Sequence, residues 1–262
     1  MCCEKQEPCT PRHFATASRR ESEPLDEKSI GLMVAEEPRR AAVFESFAID
    51  YCCGGKRTLA QACENAGVSI ELVKSAIGEL PALPGDTEPN WLQADLKELA
   101  CHIESTHHAF LKKELPRLKL LSEKVAAVHG SKDERLIKVR EVFAALKEEL
   151  EEHTLKEERV LFPYICALAS ARAPIPVPFG TVANPVRCME AEHDEAGNAL
   201  SRLRELTDSF QAPASACASW TALLAGFAAL EQDLHRHIHK ENSILFPRAV
   251  VAEEALMRNA VH

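Results

Sequence analysis

The chain has 262 residues, enough for one large domain or two smaller ones, and a formal charge of −9 from 31 basic and 40 acidic residues. An acidic chain without a basic run has no electrostatic case for binding nucleic acid or anionic lipid, and no apolar stretch approaches the length of a membrane span. Ten cysteines without an export-signal pattern read as reduced thiols of a cytoplasmic protein, not as a disulfide framework.

Residues 1–28 are polar, charged and aperiodic, and are expected to be a disordered extension. A small helical domain is expected over 29–80. It opens with "SIGLMVAEEPRRAAVFESFAIDY", a helical stretch interrupted by Pro38, and continues through "CCGG" into a short helix from Thr58 to Asn65. Gly67 closes that helix, and Ser69 is placed to cap the next. Three Pro and one Gly in "PALPGDTEPN" mark residues 81–90 as a linker. Beyond it, 91–262 reads as four long helices, at about 91–128, 133–171, 184–211 and 214–255. The fold class is therefore all-α, a small helical domain followed by an up-down-up-down four-helix bundle.

Apolar residues recur every three or four positions on each long helix. The second runs Leu136, Val139, Phe143, Leu146, Leu150, His153, Glu157, Val160; the fourth runs Trp220, Leu223, Phe227, Leu230, Leu234, His237, Glu241, Ile244. The histidines and glutamates thus lie on the buried stripes. A buried carboxylate needs a positive partner, and no Lys or Arg shares these faces at a matching level. Residues four apart are neighbours on a helix, so His153 with Glu157 and His237 with Glu241 are two-pronged ligand sets suited to a first-row divalent metal.

The pattern is duplicated. Each pair is followed by Leu-Phe-Pro, with Leu eight residues after His both times (161 − 153, 245 − 237). His193 precedes His237 by 44 residues, and His108 precedes His153 by 45. Two such halves supply four His and two Glu, too many for one tetrahedral zinc but suited to two metals bridged by two carboxylates. Periodicity does not choose between His107 and His108. His235 and His239 point off the His237 face toward surface or outer-sphere roles. His102 and His129 read as ordinary structural or exposed histidines.

The segments "AIDYCCGGKRTLAQAC", "HHAFLKKELPRL", "EEHTLKEERVLFPYI", "MEAEHDEAGNAL" and "DLHRHIHKENSILFPRA" together resemble the hemerythrin-like iron-sulfur cluster repair (RIC) family. The similarity covers about residues 29–252. It implies a homodimeric, non-haem protein with two Fe ions. It also implies damaged iron–sulfur proteins as clients, nitric oxide or oxygen as small ligands, and a possible nitric-oxide-reducing activity. The implied ligands are His108, His153, Glu157, His193, His237 and Glu241, both glutamates bridging. The "ELPRL" register selects His108. His107 stands where that family has an aromatic residue, and its replacement is expected to cost little metal. The alternative is a hemerythrin-like oxygen or nitric oxide carrier or sensor.

Cys52 and Cys53, on a Gly-Gly turn ahead of a helix and beside Lys56 and Arg57, are the candidate reactive thiols. The helix N-terminus and the basic neighbours predict a lowered thiol pKa. The remaining cysteines read as packing, apart from Cys2, Cys3 and Cys9 in the extension.

Overall fold

The computed structural model describes residues 24–80 and 89–260, and the chain divides into two compact units, Met1–Glu88 and Pro89–His262. Most of the expected extension, residues 1–23 with Cys2, Cys3 and Cys9, lies outside the described residues, as do 81–88 of the expected linker. The described residues contain helices and one isolated bridge, Ser29 to Thr58, but no strand.

Among its described residues the small unit has four helices, α1 (Ile30–Glu36), α2 (Arg40–Ser46), α3 (Leu59–Ala66) and α4 (Ile70–Gly78). At seven to nine residues each, they depend on packing for their stability. Their apolar faces meet in one core of Ile30, Met33, Phe44, Tyr51, Leu59 and Val73. Residues 24–28, assigned to the extension by composition, form a turn whose Leu25 packs on this core, and Lys28 O accepts from Leu59 N–H at 3.0 Å. Pro38 separates α1 from α2. Thr58 and Gln61 form a reciprocal capping box on α3, and Gly67 ends it with φ +67°. Ser69 occupies the N-cap of α4 but its side chain makes no cap hydrogen bond.

Helix α2 ends in a 6→1 closure. Ile49 N–H donates to Phe44 O at 2.9 Å and Ala48 N–H to Glu45 O at 3.1 Å, with Ala48 in the left-handed region at φ +53°. This closure favours glycine, so alanine there costs about 1–2 kcal/mol. It turns the chain sharply and sets Asp50–Gly54 in place.

The second unit is the bundle, and its rods run antiparallel. The first contains α5 (Leu96–Ile103) and α6 (Ala109–His129); the second α7 (Arg135–Lys156) and α8 (Phe162–Leu168); the third is α9 (Ala183–Leu206); the fourth contains α10 (Ala218–Lys240) and α11 (Phe246–Ala260). His108 meets His237 at one end of α6 and α10, while His129 meets Trp220 at the other. His153 meets His193, and Arg135 meets Asp208, at opposite ends of α7 and α9. Gly226 permits the α6–α10 approach, since a Cβ there would sit 2.4 Å from Leu118 Cδ2.

Several ends differ from the periodic reading. The first rod starts at Leu96, not 91, because Asp95 caps it and Arg248 holds the carbonyls of Trp91 (2.7 Å) and Ala94 (2.5 Å) outside the helix. The third stops at Leu206, since Asp208, Ser209 and Phe210 all take positive φ. The N-terminus of α9 is pinned by the buried Glu253 of α11, which accepts from Val182 N–H through both oxygens at 3.0 Å and from Tyr164 OH at 2.5 Å.

Three rods contain a five-residue π-turn: Glu104–His108, Glu157–Leu161 and Glu241–Leu245. Phe162 N–H reaches back five residues to Glu157 O, and Phe246 N–H likewise to Glu241 O. The next residue in each case is proline, which has no N–H for the ordinary ladder. The repeated Leu-Phe-Pro therefore marks a register slip just after each glutamate, a distortion common at functional sites. The first π-turn, closed by Ala109 N–H to Glu104 O, has no such proline.

Candidate metal centre

All six residues that the resemblance implies as ligands converge inside the bundle, with His108, His193, His237 and both glutamates no more than 2% exposed and His153 at 3%. They form two overlapping sets, His108–Glu157–His237–Glu241 and His153–Glu157–His193–Glu241, each with one ligating atom per residue within 4.8 Å of the others. Each imidazole pair crosses between the halves of the repeat. Glu157 Oε2 lies 3.3 Å from His108 Nε2 and 3.4 Å from His153 Nε2. Glu241 presents Oε1 to His237 Nε2 at 2.9 Å and Oε2 to His193 Nε2 at 3.2 Å. Each carboxylate thus spans both sets.

Outer-sphere partners orient three of the rings. Nδ1 meets Glu158 at 2.9 Å in His108, Glu192 at 2.8 Å in His153 and Asn242 Oδ1 at 2.9 Å in His193. An acceptor at Nδ1 assigns the proton there and leaves Nε2 as an inward lone pair. Lys112 and Lys156 hold Glu158 and Glu192 from the far side. Phe162 stacks on His108 and Phe246 on His193. His237 differs: its Nδ1 has no hydrogen-bond partner, and the parallel ring of His107 lies 5.3 Å away. His107 is itself held by Asp233 at 2.9 Å.

These donors fit metal cations. With protons on Nδ1, the Nε2 atoms of His153 and His193 face each other at 3.0 Å, a contact that needs positive charge between them, a proton or a metal cation in its place. Both oxygens of Glu157 and Oε2 of Glu241 are buried without a hydrogen bond, a costly arrangement unless positive charge meets them. The local field points the same way. Burial lowers the pKa of His153, but the charge of Glu157, 3.4 Å away, and the hydrogen bond to Glu192 outweigh it and push the ring up to about 10. His108 is raised despite its burial, through Glu157 above all. Burial dominates at His237 and lowers it. Burial would raise Glu241, yet the charge of His237, its hydrogen bond at 2.9 Å and the nearby His193 ring hold it well below the usual carboxylate range.

Some expectations need correction. His239 is buried, as is Lys240, because this end of α10 is covered on more than its apolar stripe. His235 is half-buried. His102 stacks on Trp91, and His129 lies against Trp220, both structural contacts. Sequence reasoning missed Glu158, Glu192, Asn242 and Asp233. A signal existed for two of them: Glu158 and Asn242 directly follow Glu157 and Glu241.

Cys52 and Cys53 belong to the small unit, and neither is in a disulfide. The expected lowering of the thiol pKa is not found at Cys52. Its hydrogen bond with Cys53, its burial and the charges of Cys53 and Asp50 push it well above the ordinary range.

A helical bundle with two His/Glu clusters on facing rods defines the hemerythrin-like class of cation-binding domains, and residues 101–249 match the family described as the hemerythrin HHE cation binding domain. Residues 26–81 match a second family, described as a domain of unknown function (DUF542). The chain belongs to the iron-sulfur cluster repair protein family. It is 38% identical over 227 residues to iron-sulfur cluster repair protein YtfE of Musicola paradisiaca, covering 87% of this chain and 98% of that one. It is 36% identical to the YtfE of Edwardsiella ictaluri (86% and 97% covered), and 35% identical to that of Escherichia coli O157:H7 (87% and 98%). No helix among the described residues is long and apolar enough to cross a membrane.

Proposed function

We propose that this chain is a cytoplasmic, non-haem di-iron protein that restores iron–sulfur clusters damaged by nitric oxide or oxidants. One observation carries the di-iron reading: two buried carboxylates, each within 3.4 Å of an imidazole from both ligand sets. His108 and His237 would hold one iron, His153 and His193 the other, and Glu157 and Glu241 would serve both. Bound there, the iron pair supplies exchangeable ferrous iron and coordination positions for nitric oxide or oxygen. The residues around it keep the site ready. Glu158, Glu192 and Asn242 retain the Nδ1 protons, so the Nε2 lone pairs stay aimed inward. Phe162 and Phe246 cover two of the rings and exclude water.

The relatives are named for iron–sulfur cluster repair, and damaged cluster proteins are the clients this reading assigns to the chain. Cys52 and Cys53 are assigned the reactive role in that transfer, and the bundle the metal-holding role. Metal analysis and Mössbauer spectroscopy of protein purified without added iron test the centre. Two antiferromagnetically coupled irons per chain are expected, and a single ion or native zinc overturns the assignment. Cys52→Ser with Cys53→Ser should leave bundle iron normal while reducing recovery of a cluster enzyme inactivated by nitric oxide. Undiminished recovery would place the whole activity in the bundle.

A further inference from the structure

The turn after α2 gathers a second set of ligating atoms, wholly within the small unit. Asp50 Oδ1 accepts from the backbone N–H groups of Cys52 and Cys53, each at 3.0 Å, and Oδ2 accepts from Gly54 N–H at 2.9 Å. The same Oδ1 is 3.1 Å from Cys52 Sγ, and the two sulfurs are 3.9 Å apart. One ligating atom from each of the three side chains lies within 4.8 Å of the other two. We propose that Asp50, Cys52 and Cys53 form a three-ligand site for a borderline divalent first-row cation, Fe²⁺ in the repair role, with a fourth coordination position left open.

The spacing suits such an ion. A tetrahedral centre with metal–sulfur bonds of about 2.3 Å sets its sulfurs about 3.8 Å apart, and the thiols already stand at that separation. A disulfide between adjacent residues would instead need about 2.05 Å and a strained link. The short Cys52–Asp50 contact is the thiol's hydrogen bond, and it lengthens when a larger ion replaces the proton. Asp50 keeps its place meanwhile, because three backbone N–H groups anchor it. Gly54 makes this possible, since a Cβ there would lie 2.5 Å from Asp50 O.

The charge balance favours a cation as well. Asp50 Oδ1 and Cys53 Sγ lie 3.1 and 3.9 Å from Cys52 Sγ, so one carboxylate and two thiolates would crowd negative charge that a doubly charged ion relieves. On binding, two S–H bonds give way to two metal–sulfur bonds, both protons leave to water, and no electrons change hands. Two thiolates and one carboxylate select Fe²⁺, Zn²⁺ or Co²⁺ over Mg²⁺ or Ca²⁺. Three protein ligands with an open vertex describe a site that exchanges its ion, unlike a closed structural site. Asp50 is exposed and Cys53 half-buried, so an ion can reach them.

The site itself follows from the turn; only the choice of iron rests on the repair reading. The full-length reduced protein, with iron first loaded into the bundle, is titrated anaerobically with Co²⁺. A thiolate-to-cobalt charge-transfer band saturating at one equivalent is expected, a signal that His/Glu ligation does not produce. Cys52→Ser with Cys53→Ser should abolish it. Asp50→Asn, with folding checked by circular dichroism, should weaken Co²⁺ binding by at least the roughly tenfold that loss of even an outer-sphere partner costs. No band in the parent protein, or a band that survives the double substitution, overturns the site. If the band appears while the double variant still repairs clusters fully, the cation site stands and the role of the thiols in repair falls.

Discussion

In the first half of the bundle His108 is backed by Glu158, an anion; in the second His193 is backed by Asn242, a neutral amide at the same offset after the bridging glutamate. The other pair diverges further. His153 is backed by Glu192, the residue just before His193, whereas the residue just before His108 is His107. His107 leaves the Nδ1 of His237 without an acceptor and lies parallel to its ring instead. The halves therefore share their inward His and Glu side chains and the π-turn with Leu-Phe-Pro after Glu157 and Glu241, but only the first half has a further π-turn at Glu104–His108, and the groups behind the imidazoles differ. A carboxylate behind an imidazole makes it a more basic ligand than an amide does. The repeated motif gives a near-symmetric set of inward His and Glu side chains, and the groups behind them make its two clusters unequal.

Glu157 and Glu241, the glutamates proposed to bridge, are where the halves should be most alike and most sensitive. Glu157→Ala and Glu241→Ala should each weaken metal binding by well over the roughly 100-fold attached to outer-sphere losses, with helical content intact. Metal analysis with far-ultraviolet circular dichroism decides this. Full metal retention in either variant would break the equivalence and the bridging assignment together.

Next come the phenylalanines over the rings, both essentially inaccessible. Phe162→Ala and Phe246→Ala should each destabilise the bundle by about 3–5 kcal/mol in urea denaturation. A cost confined to one of them would show that only one half depends on its ring stack for stability.

The outer sphere can be made symmetric in either direction. Asn242→Asp should tighten metal retention against a chelator and Glu158→Gln should loosen it, by roughly 10- to 100-fold. Equal retention in both variants would mean that the inequality has no energetic consequence.

The smallest expected effect is at His107. His107→Phe keeps a ring against His237 and should leave metal retention close to the parent; the stack revises the sequence expectation for other replacements, and His107→Ala should loosen the metal by about tenfold. Parent-like retention in the alanine variant would show that the stack does not hold His237.

Much of this architecture is legible in the linear order of residues. Four rods, the glutamates on apolar stripes and the repeated offsets are linear features, and helical period converts them directly into shared faces. The ends of the rods are less legible. Arg248 decides where the first begins, from more than 150 residues away in the chain. The thiol pKa at Cys52 runs opposite to the sequence expectation for a similar reason. The helix N-terminus and the basic neighbours are visible in sequence, while the carboxylate of Asp50 folding back over the turn is not.

By itself, then, the sequence determined the all-α class, the small helical unit and the duplicated ligand pairs, because each depends on residues within a few turns of one helix. Tertiary structure alone decided that the imidazole pairs cross between halves, His108 with His237 and His153 with His193. It also decided that His107 stacks on His237, and that Glu192 backs His153 from another helix. Those relations depend on which helices become neighbours and at what depth. That choice is made by the packing of whole faces, and no spacing along a single chain segment encodes it.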